Sequence, residues 1–255
     1  MRVAMTGSMT AVLLLVANLP AAASAACMVR SGAQTVPLVE LYTSEGCSSC
    51  PPADRWLSAH AADTSANWLA FHVDYWDDIG WPDRFAAATY SQRQRARVGA
   101  AGGTTVYTPQ VMVGAQVRAP WRSGPGMRTA LREARIPAPT GLALRLQPEA
   151  NGWQVALGAS RSAAATFAAQ VWLAQYSDNQ NTAVRAGENA GVNLHHDRVV
   201  RRLWGPWPLA GATLSRHVAV TAPSPRWGVI AFVQDARGRI LQSLSLPADA
   251  CVADQ

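Results

Sequence analysis

The chain contains no lysine. All 22 of its basic side chains are arginines, set against 16 acidic residues for a net charge of +6. The arginines are spread along the chain without a dense basic run. No stripe of alternating basic and aromatic residues points to nucleic acid. A solvated basic surface is the simpler reading, with anionic partners left open. Long apolar runs are also scarce. A bilayer span needs about 20 consecutive apolar residues, and no segment beyond the first two dozen residues approaches that. Cysteine is limited to four. No Ser/His/Asp order, phosphate-binding glycine loop or internal repeat is present. What remains is a 255-residue chain, 49 % apolar. That is enough for a packed core and long enough for one large domain or two small ones.

The first residues have the form of an export signal. Arg2 supplies the positive start, residues 11–19 the apolar centre, and Ala23-Ser24-Ala25 a small-residue cleavage site. The expectation is a leader over residues 1–25 and a soluble mature chain from Ala26, periplasmic or secreted, with no transmembrane segment. Export places the cysteines in an oxidising compartment. Cys27 and Cys251 stand at the two ends of the mature chain, and domain termini often lie close together. A Cys27–Cys251 disulfide is therefore expected. The alternative is a lipidated Cys27, although Ser24-Ala25-Ala26 lacks the large aliphatic residue such signals carry.

The other two cysteines lie in Glu45-Gly46-Cys47-Ser48-Ser49-Cys50-Pro51-Pro52. An apolar run (37–42) reads as a buried strand just before it. Ala53, Trp56, Leu57 and Ala61 share one helical face just after it. Proline is tolerated in the first helical turn, where amides have no intrahelical partner. Cys47 and Cys50 should thus sit at a helix N-terminus, where free amides and the helix dipole favour a thiolate. Cys47 is the expected attacking thiol and Cys50 the resolving one. A fixed structural disulfide or half of a metal site are the competing readings.

Residues 67–73 read as a second buried strand, parallel to the first through a right-handed crossover. Tyr75 and Trp76 follow at the sheet edge that carries the cysteines, either lining a substrate groove or capping the core. His72 reads as a core histidine. Residues 81–97 read as a helical stretch with Asp83 as its cap, and Arg93, Arg95 and Arg97 as a solvated face. Gly114-Ala115 fits a hairpin turn between strands 110–113 and 116–118. Pro109 is allowed at the start of the first of these, in either isomer. Residues 126–134 read as a closing helix.

This order of strand, CxxC helix, strand, helix, Thr-Pro, hairpin and helix resembles the thioredoxin superfamily. The resemblance implies a cis Thr108–Pro109 bond facing the cysteines. It assigns Pro109 to substrate positioning and Thr108 to substrate contact by strand addition. It also implies a buried acid near the cysteines as proton acceptor. Glu40 is the nearest match, one residue further away than usual, with pairing to an arginine as the other reading. Gly46 stands where the superfamily usually has tryptophan, and Ser48-Ser49 matches neither the reducing nor the strongly oxidising dipeptide. A closer similarity is to an exported, thioredoxin-like bacterial family called domain of unknown function 1223. It is carried by residues 40–54, His72-Val73-Asp74-Tyr75-Trp76, Gln92-Arg93-Gln94-Arg95, Tyr107-Thr108-Pro109-Gln110, Gly187-Glu188-Asn189-Ala190-Gly191 and Val199-Val200-Arg201.

Residues 137–141 (Pro-Ala-Pro-Thr-Gly) read as a linker. Beyond it, alternation over 142–146 and 153–157 around Asn151-Gly152 reads as a hairpin. Further strands are read at 168–176, 215–220, 227–234 and 239–244, with a tight turn at Gly238. The expected architecture is an α/β thioredoxin-like domain (26–136) followed by an all-β, sandwich-like domain (142–255). His195-His196-Asp197 reads as a surface pair, since neighbouring strand residues face opposite sides. Residues 204–208 read as packing or as a docking loop.

The expected function is exported thiol–disulfide exchange on protein substrates, with no bound cofactor and a partner that recycles the pair. One alternative is copper handling, with His72 or Met112 joining Cys47. Another is a binding module with a permanent CxxC crosslink.

Overall fold

The computed structural model describes residues 1, 27–162 and 167–251. The leader read at residues 1–25, and the mature start at Ala26, lie outside the described residues apart from Met1. Strand β1 (Cys27–Arg30) is followed by β2 (Leu38–Thr43), helix α1 (Pro51–His60), β3 (Asn67–His72), α2 (Ala88–Ala100), β4 (Gln110–Val113) and α3 (Gly124–Ala134). Strands then dominate. They are β5 (Thr140–Glu149), β6 (Gly152–Arg161), β7 (Ala169–Ser177), β8 (Gln180–Ala183), β9 (Asn193–His196), β10 (Val199–Pro208), β11 (Thr213–Val220), β12 (Trp227–Asp235) and β13 (Ile240–Pro247).

The expected α/β thioredoxin-like domain followed by an all-β domain is not what forms. The molecule is a β-rich sandwich with mixed sheets. One sheet has seven strands in the order β13-β12-β7-β10-β3-β2-β4, and a second has four, β1-β5-β6-β11. The first contains strands from both halves of the chain. β2 and β3 do pair in parallel, from Leu38↔Asn67 to Thr43↔His72. But the free edge of β3 is taken by β10, through Val199↔Ala70 and the Ala70 amide donating to the Arg198 carbonyl at 2.8 Å. β10 then leads antiparallel into β7, β12 and β13. Meanwhile β1, at the start of the chain, pairs with β5 in the other sheet. Local periodicity identifies a strand and its buried face. It carries no information about which distant strand claims the second edge, and that pairing sets the fold class.

Alternation decides what each face of the seven-stranded sheet covers. On β12, Val229, Ala231 and Val233 face the four-stranded sheet, meeting Leu142, Leu144, Leu146, Val155 and Leu157 in the sandwich core. Ile230 and Phe232 point the other way and join Leu38, Tyr42, Leu69, Phe71 and the α2 residues Tyr90 and Val98. On β2 and β3, Val39, Leu41, Trp68 and Ala70 pack instead under α1 and α3, against Ala53, Leu57, Met127 and Ala130. Glu40 and Met112 are therefore on the α2 side of the sheet, and α1 with its cysteines is on the opposite side.

Several local readings shift. The 81–97 helix starts only at Ala88, because Asp83 is drawn into the interior by His72 and the Glu45 amide. Residues 116–118 form a single bridge, Val113↔Gln116, and no strand. The 204–208 segment lies in β10, with Trp204 and Trp207 against the sandwich core. Cys27 and Cys251 are bonded, with Cα atoms 5.2 Å apart.

Candidate functional site

β2 ends at Thr43, and the chain turns through Ser44-Glu45-Gly46. The Gly46 amide donates to Ser44 Oγ at 3.0 Å, and the Cys47 amide to the Ser44 carbonyl at 3.2 Å. A side chain at Gly46 would meet Trp76 Cβ at 3.2 Å, so glycine allows Trp76 to close over the turn. Cys50 is the residue before α1, with Pro51 and Pro52 in its first turn. Cys47 and Cys50 are joined as a disulfide, with Cα atoms 5.4 Å apart. Both residues have no exposed surface, while Ser48 and Ser49 between them are exposed.

Two segments cover the pair. From one side, Trp76 Nε1 donates to Thr108 Oγ1 at 2.8 Å, and Ser49 Oγ to the Thr108 carbonyl at 3.4 Å. The Thr108–Pro109 bond is cis. Tyr75 is anchored behind it, its hydroxyl donating to Gln94 Oε1 at 3.2 Å, and Gln94 Nε2 donates to the Tyr107 carbonyl at 2.9 Å. Thr108, Tyr75 and Trp76 thus form one half-buried wall beside the disulfide. From the other side comes the 187–191 turn of the C-terminal half. Asn189 Nδ2 donates to the carbonyls of Glu45 and Cys47 at 2.8 and 3.0 Å, and Glu188 Oε2 accepts from the Ser48 amide at 3.0 Å. Glu188 is fully exposed, and that hydrogen bonding holds its carboxyl below its ordinary value. No pattern within the first half of the chain foretells this clamp. The only sequence signal was the Gly-Glu-Asn-Ala-Gly segment itself.

Glu40 is not the proton acceptor the resemblance assigned. Arg93 grips it with two bonds of 2.9 Å, Arg97 Nε approaches to 3.6 Å, and the Tyr42 hydroxyl donates at 2.7 Å. Burial alone would raise its pKa, but the two guanidiniums prevail and lower it to about 2. A carboxylate so acidic does not take a proton from a thiol. The offset of one residue has a geometric meaning, since it places Glu40 on the sheet face away from α1. By the same contacts Arg93 and Arg97 are buried core residues, not a solvated face.

A different ionisable cluster lies around the cysteine turn. It comprises Glu45, Asp54, His72, Asp83 and His196, all essentially buried. Asp54 lies one helical turn after Cys50, and Glu45 lies two residues before Cys47. His72 Nδ1 bonds Asp83 Oδ2 at 2.6 Å, and Thr43 Oγ1 donates to Asp54 Oδ1 at 2.8 Å. Trp81 Nε1 donates to Glu45 Oε2 at 2.9 Å. His196 spans the gap, with Nε2 3.5 Å from Glu45 Oε1 and Nδ1 3.9 Å from Asp54 Oδ2. Its ring meets that of His72 edge-on at 4.9 Å. Among the described residues, Glu45 Oε1, Asp54 Oδ2, His72 Nε2 and both His196 nitrogens have no partner in good hydrogen-bonding geometry. Burial pushes the Asp54 carboxyl up, partly offset by His196 and His72. Burial would lower the pKa of His72, but Asp83 overcomes it and raises it. Asp83 is held low against its own burial by the same pairing. His72 and Asp83, bonded at 2.6 Å, hold a proton between them as a pair.

The surface reading of the His195–His196 pair holds for His195 alone, which bonds Asp197 at 2.9 Å. Alternation along β9 turns His196 inward. Of the residues considered for copper, Met112 lies on the α2 face and His72 is turned to Asp83. Among the described residues, no group of three or more His, Cys, Asp or Glu is arranged to hold a metal ion. No described helix is long and apolar enough to cross a membrane.

A family described as protein of unknown function (DUF1223) matches residues 38–234. A solved protein from Agrobacterium tumefaciens is similar at a TM-score of 0.62 and 22 % identity, covering 83 % of this chain and 94 % of that one. HBP35 of Porphyromonas gingivalis is similar at a TM-score of 0.61 and 14 % identity, covering 84 % of this chain and 76 % of that one. At these identities the likeness concerns the fold alone. No curated protein matches the chain.

Proposed function

This chain belongs to the DUF1223 family of proteins of unknown function, and from that premise we propose that it is an exported thiol–disulfide oxidoreductase. It would act on protein substrates through Cys47 and Cys50. The observation that carries this reading is the disulfide at the start of α1, bordered by a cluster of buried carboxyls and imidazoles. Amides at a helix N-terminus stabilise a departing thiolate. In the oxidising direction, a substrate thiolate attacks the Cys47 sulfur. The Cys47–Cys50 bond breaks, and its electron pair leaves on Cys50. A second substrate thiolate then attacks the substrate sulfur of the mixed disulfide, expelling Cys47. The substrate is oxidised by two electrons and its two thiol protons are released. The pair gains the two electrons, and two protons when its thiolates are protonated. Reduction of a substrate disulfide is the same sequence reversed, and a partner protein restores the starting state.

Asp54, one helical turn after Cys50 and with its carboxyl pushed up by burial, would hold a proton beside that residue, the task Glu40 does not perform. Thr108, Tyr75, Trp76 and Pro109 would form the substrate-facing wall. A second reading, a permanent crosslink in a binding module, is favoured by one observation, the lack of exposed surface at both cysteines. Equilibration of the protein with glutathione buffers and thiol counting separates the two. A potential between about −270 and −120 mV is expected for an exchanging pair. A value below about −300 mV would leave the crosslink as the better account. The Cys47→Ser variant is expected to lose all dithiol transfer, and retained transfer would sink the mechanism.

A further inference from the structure

A cavity of about 760 Å³ opens between the outer face of α1 and α3, away from the disulfide-covering segments. This lies within the range of about 300–1,000 Å³ common for small-molecule sites. Its floor is aromatic. Trp56 from α1 meets Trp68 of β3 edge-on at 5.7 Å and Trp121 at 5.8 Å. His60, one turn after Trp56, lies 5.3 Å from Trp68. Met127 and Leu131, one turn apart on α3, complete the apolar wall.

The rim is cationic. Arg122, Arg128, Arg132 and Arg135 all border the cavity and are exposed, and Asp63 is the one acidic residue on its lining. Arg128, Arg132 and Arg135 follow helical spacing, so they line one side of α3 and the residue after it. Arg122 lies over the Trp121 ring at 4.7 Å. Among the described residues, none of these four guanidiniums is paired with a carboxylate. Arg132 bonds the Thr129 hydroxyl, and Arg135 the Ser65 carbonyl. Unneutralised guanidiniums around tryptophan faces suit a ligand with a flat apolar body and a carboxylate, sulfonate or phosphate at its edge.

We propose that the cleft bordered by Trp56, Trp121 and the four arginines is a binding site for a flat organic anion of small-molecule size. It is independent of the thiol reading, since neither cysteine borders the cleft.

The test titrates the whole mature protein with 8-anilinonaphthalene-1-sulfonate and with the uncharged N-phenyl-1-naphthylamine, following tryptophan fluorescence and calorimetric stoichiometry. One sulfonate molecule per chain is expected, bound at least 10-fold more tightly than the neutral compound and weakening as salt rises. Arg128→Glu with Arg132→Glu should cost at least 10-fold in affinity. These side chains are exposed, so circular dichroism and melting should be unchanged. Trp121→Ala should weaken binding and diminish the fluorescence response, with Trp56 and Trp68 left to report what remains. Equal affinity for the charged and neutral compounds, an unaltered charge-reversed variant, or binding only at millimolar probe would overturn the proposal. So would a dimer, detected by sedimentation, that the same substitutions dissociate, because the cleft would then be a subunit contact.

Discussion

Glu40 shows how much a single side chain depends on its face of the sheet. Its carboxylate is compensated by Arg93 and Arg97 and is held near pKa 2 against an ordinary 4.5. A depressed carboxyl contributes stability above its unfolded pKa and loses it as pH falls through the folded value. Its contribution, of order 3 kcal/mol, should therefore disappear between about pH 4.5 and 2. Urea midpoints measured from pH 6 to 2.5 should fall steeply in this window for the native chain. Glu40→Gln should flatten that dependence while costing about 3–5 kcal/mol at neutral pH, since it strands two buried cations. Parallel pH curves for the two proteins would refute the assignment. Asn189 is the second informative residue. Asn189→Ala leaves two carbonyls of the cysteine turn without their side-chain donor, at a cost of about 1–3 kcal/mol. It also loosens the cover over Cys47. Reduction of the pair by dithiothreitol is expected to speed up several-fold, measured by thiol trapping. An unchanged rate would mean that the 187–191 turn does not control access.

At the scale of elements, β3 is the pivot. Its six residues are buried on both faces, and both of its edges are paired, with β2 and with β10. The apolar run at 67–73 was legible as a buried strand, and so was its parallel partner. The partner on its other edge was not, because β10 lies far along the chain and strand periodicity is the same whoever pairs. A fragment of residues 27–136 should consequently not fold to a fixed structure. It would expose the β10-facing edge of β3 and the faces that Tyr176, Ile230 and Phe232 cover. Dispersed amide resonances from that fragment would show that this half is independent of the other. α2 teaches a related lesson. Arg93 and Arg97 one turn apart look like a solvated face, since charge on a helix usually faces water. Only the position of Glu40 beneath that helix makes the interior the better place for them.

For the whole molecule, the Cys27–Cys251 bond joins β1 to the segment after β13, closing a loop of 224 residues. In the chain-entropy account such a loop is worth about 5 kcal/mol. Cys27→Ser or Cys251→Ser should lower the melting temperature of the oxidised protein by several degrees and leave exchange at Cys47–Cys50 intact. A loss of exchange in those variants would place the terminal bond in the redox chemistry itself.

The residues alone determined the short-range facts. They placed Cys47 and Cys50 between a strand and a proline-led helix, located most strands, and set the faces along each strand, because these follow from propensity and period within a few residues. Tertiary structure decided what depends on contacts across some fifty to a hundred and fifty residues. It merged the two halves through β3 and β10, brought Asn189 and His196 to the cysteine turn, and sent Glu40 to the α2 side. Those outcomes rest on which edges pair and which charges find partners when buried, and neither is encoded in a local pattern.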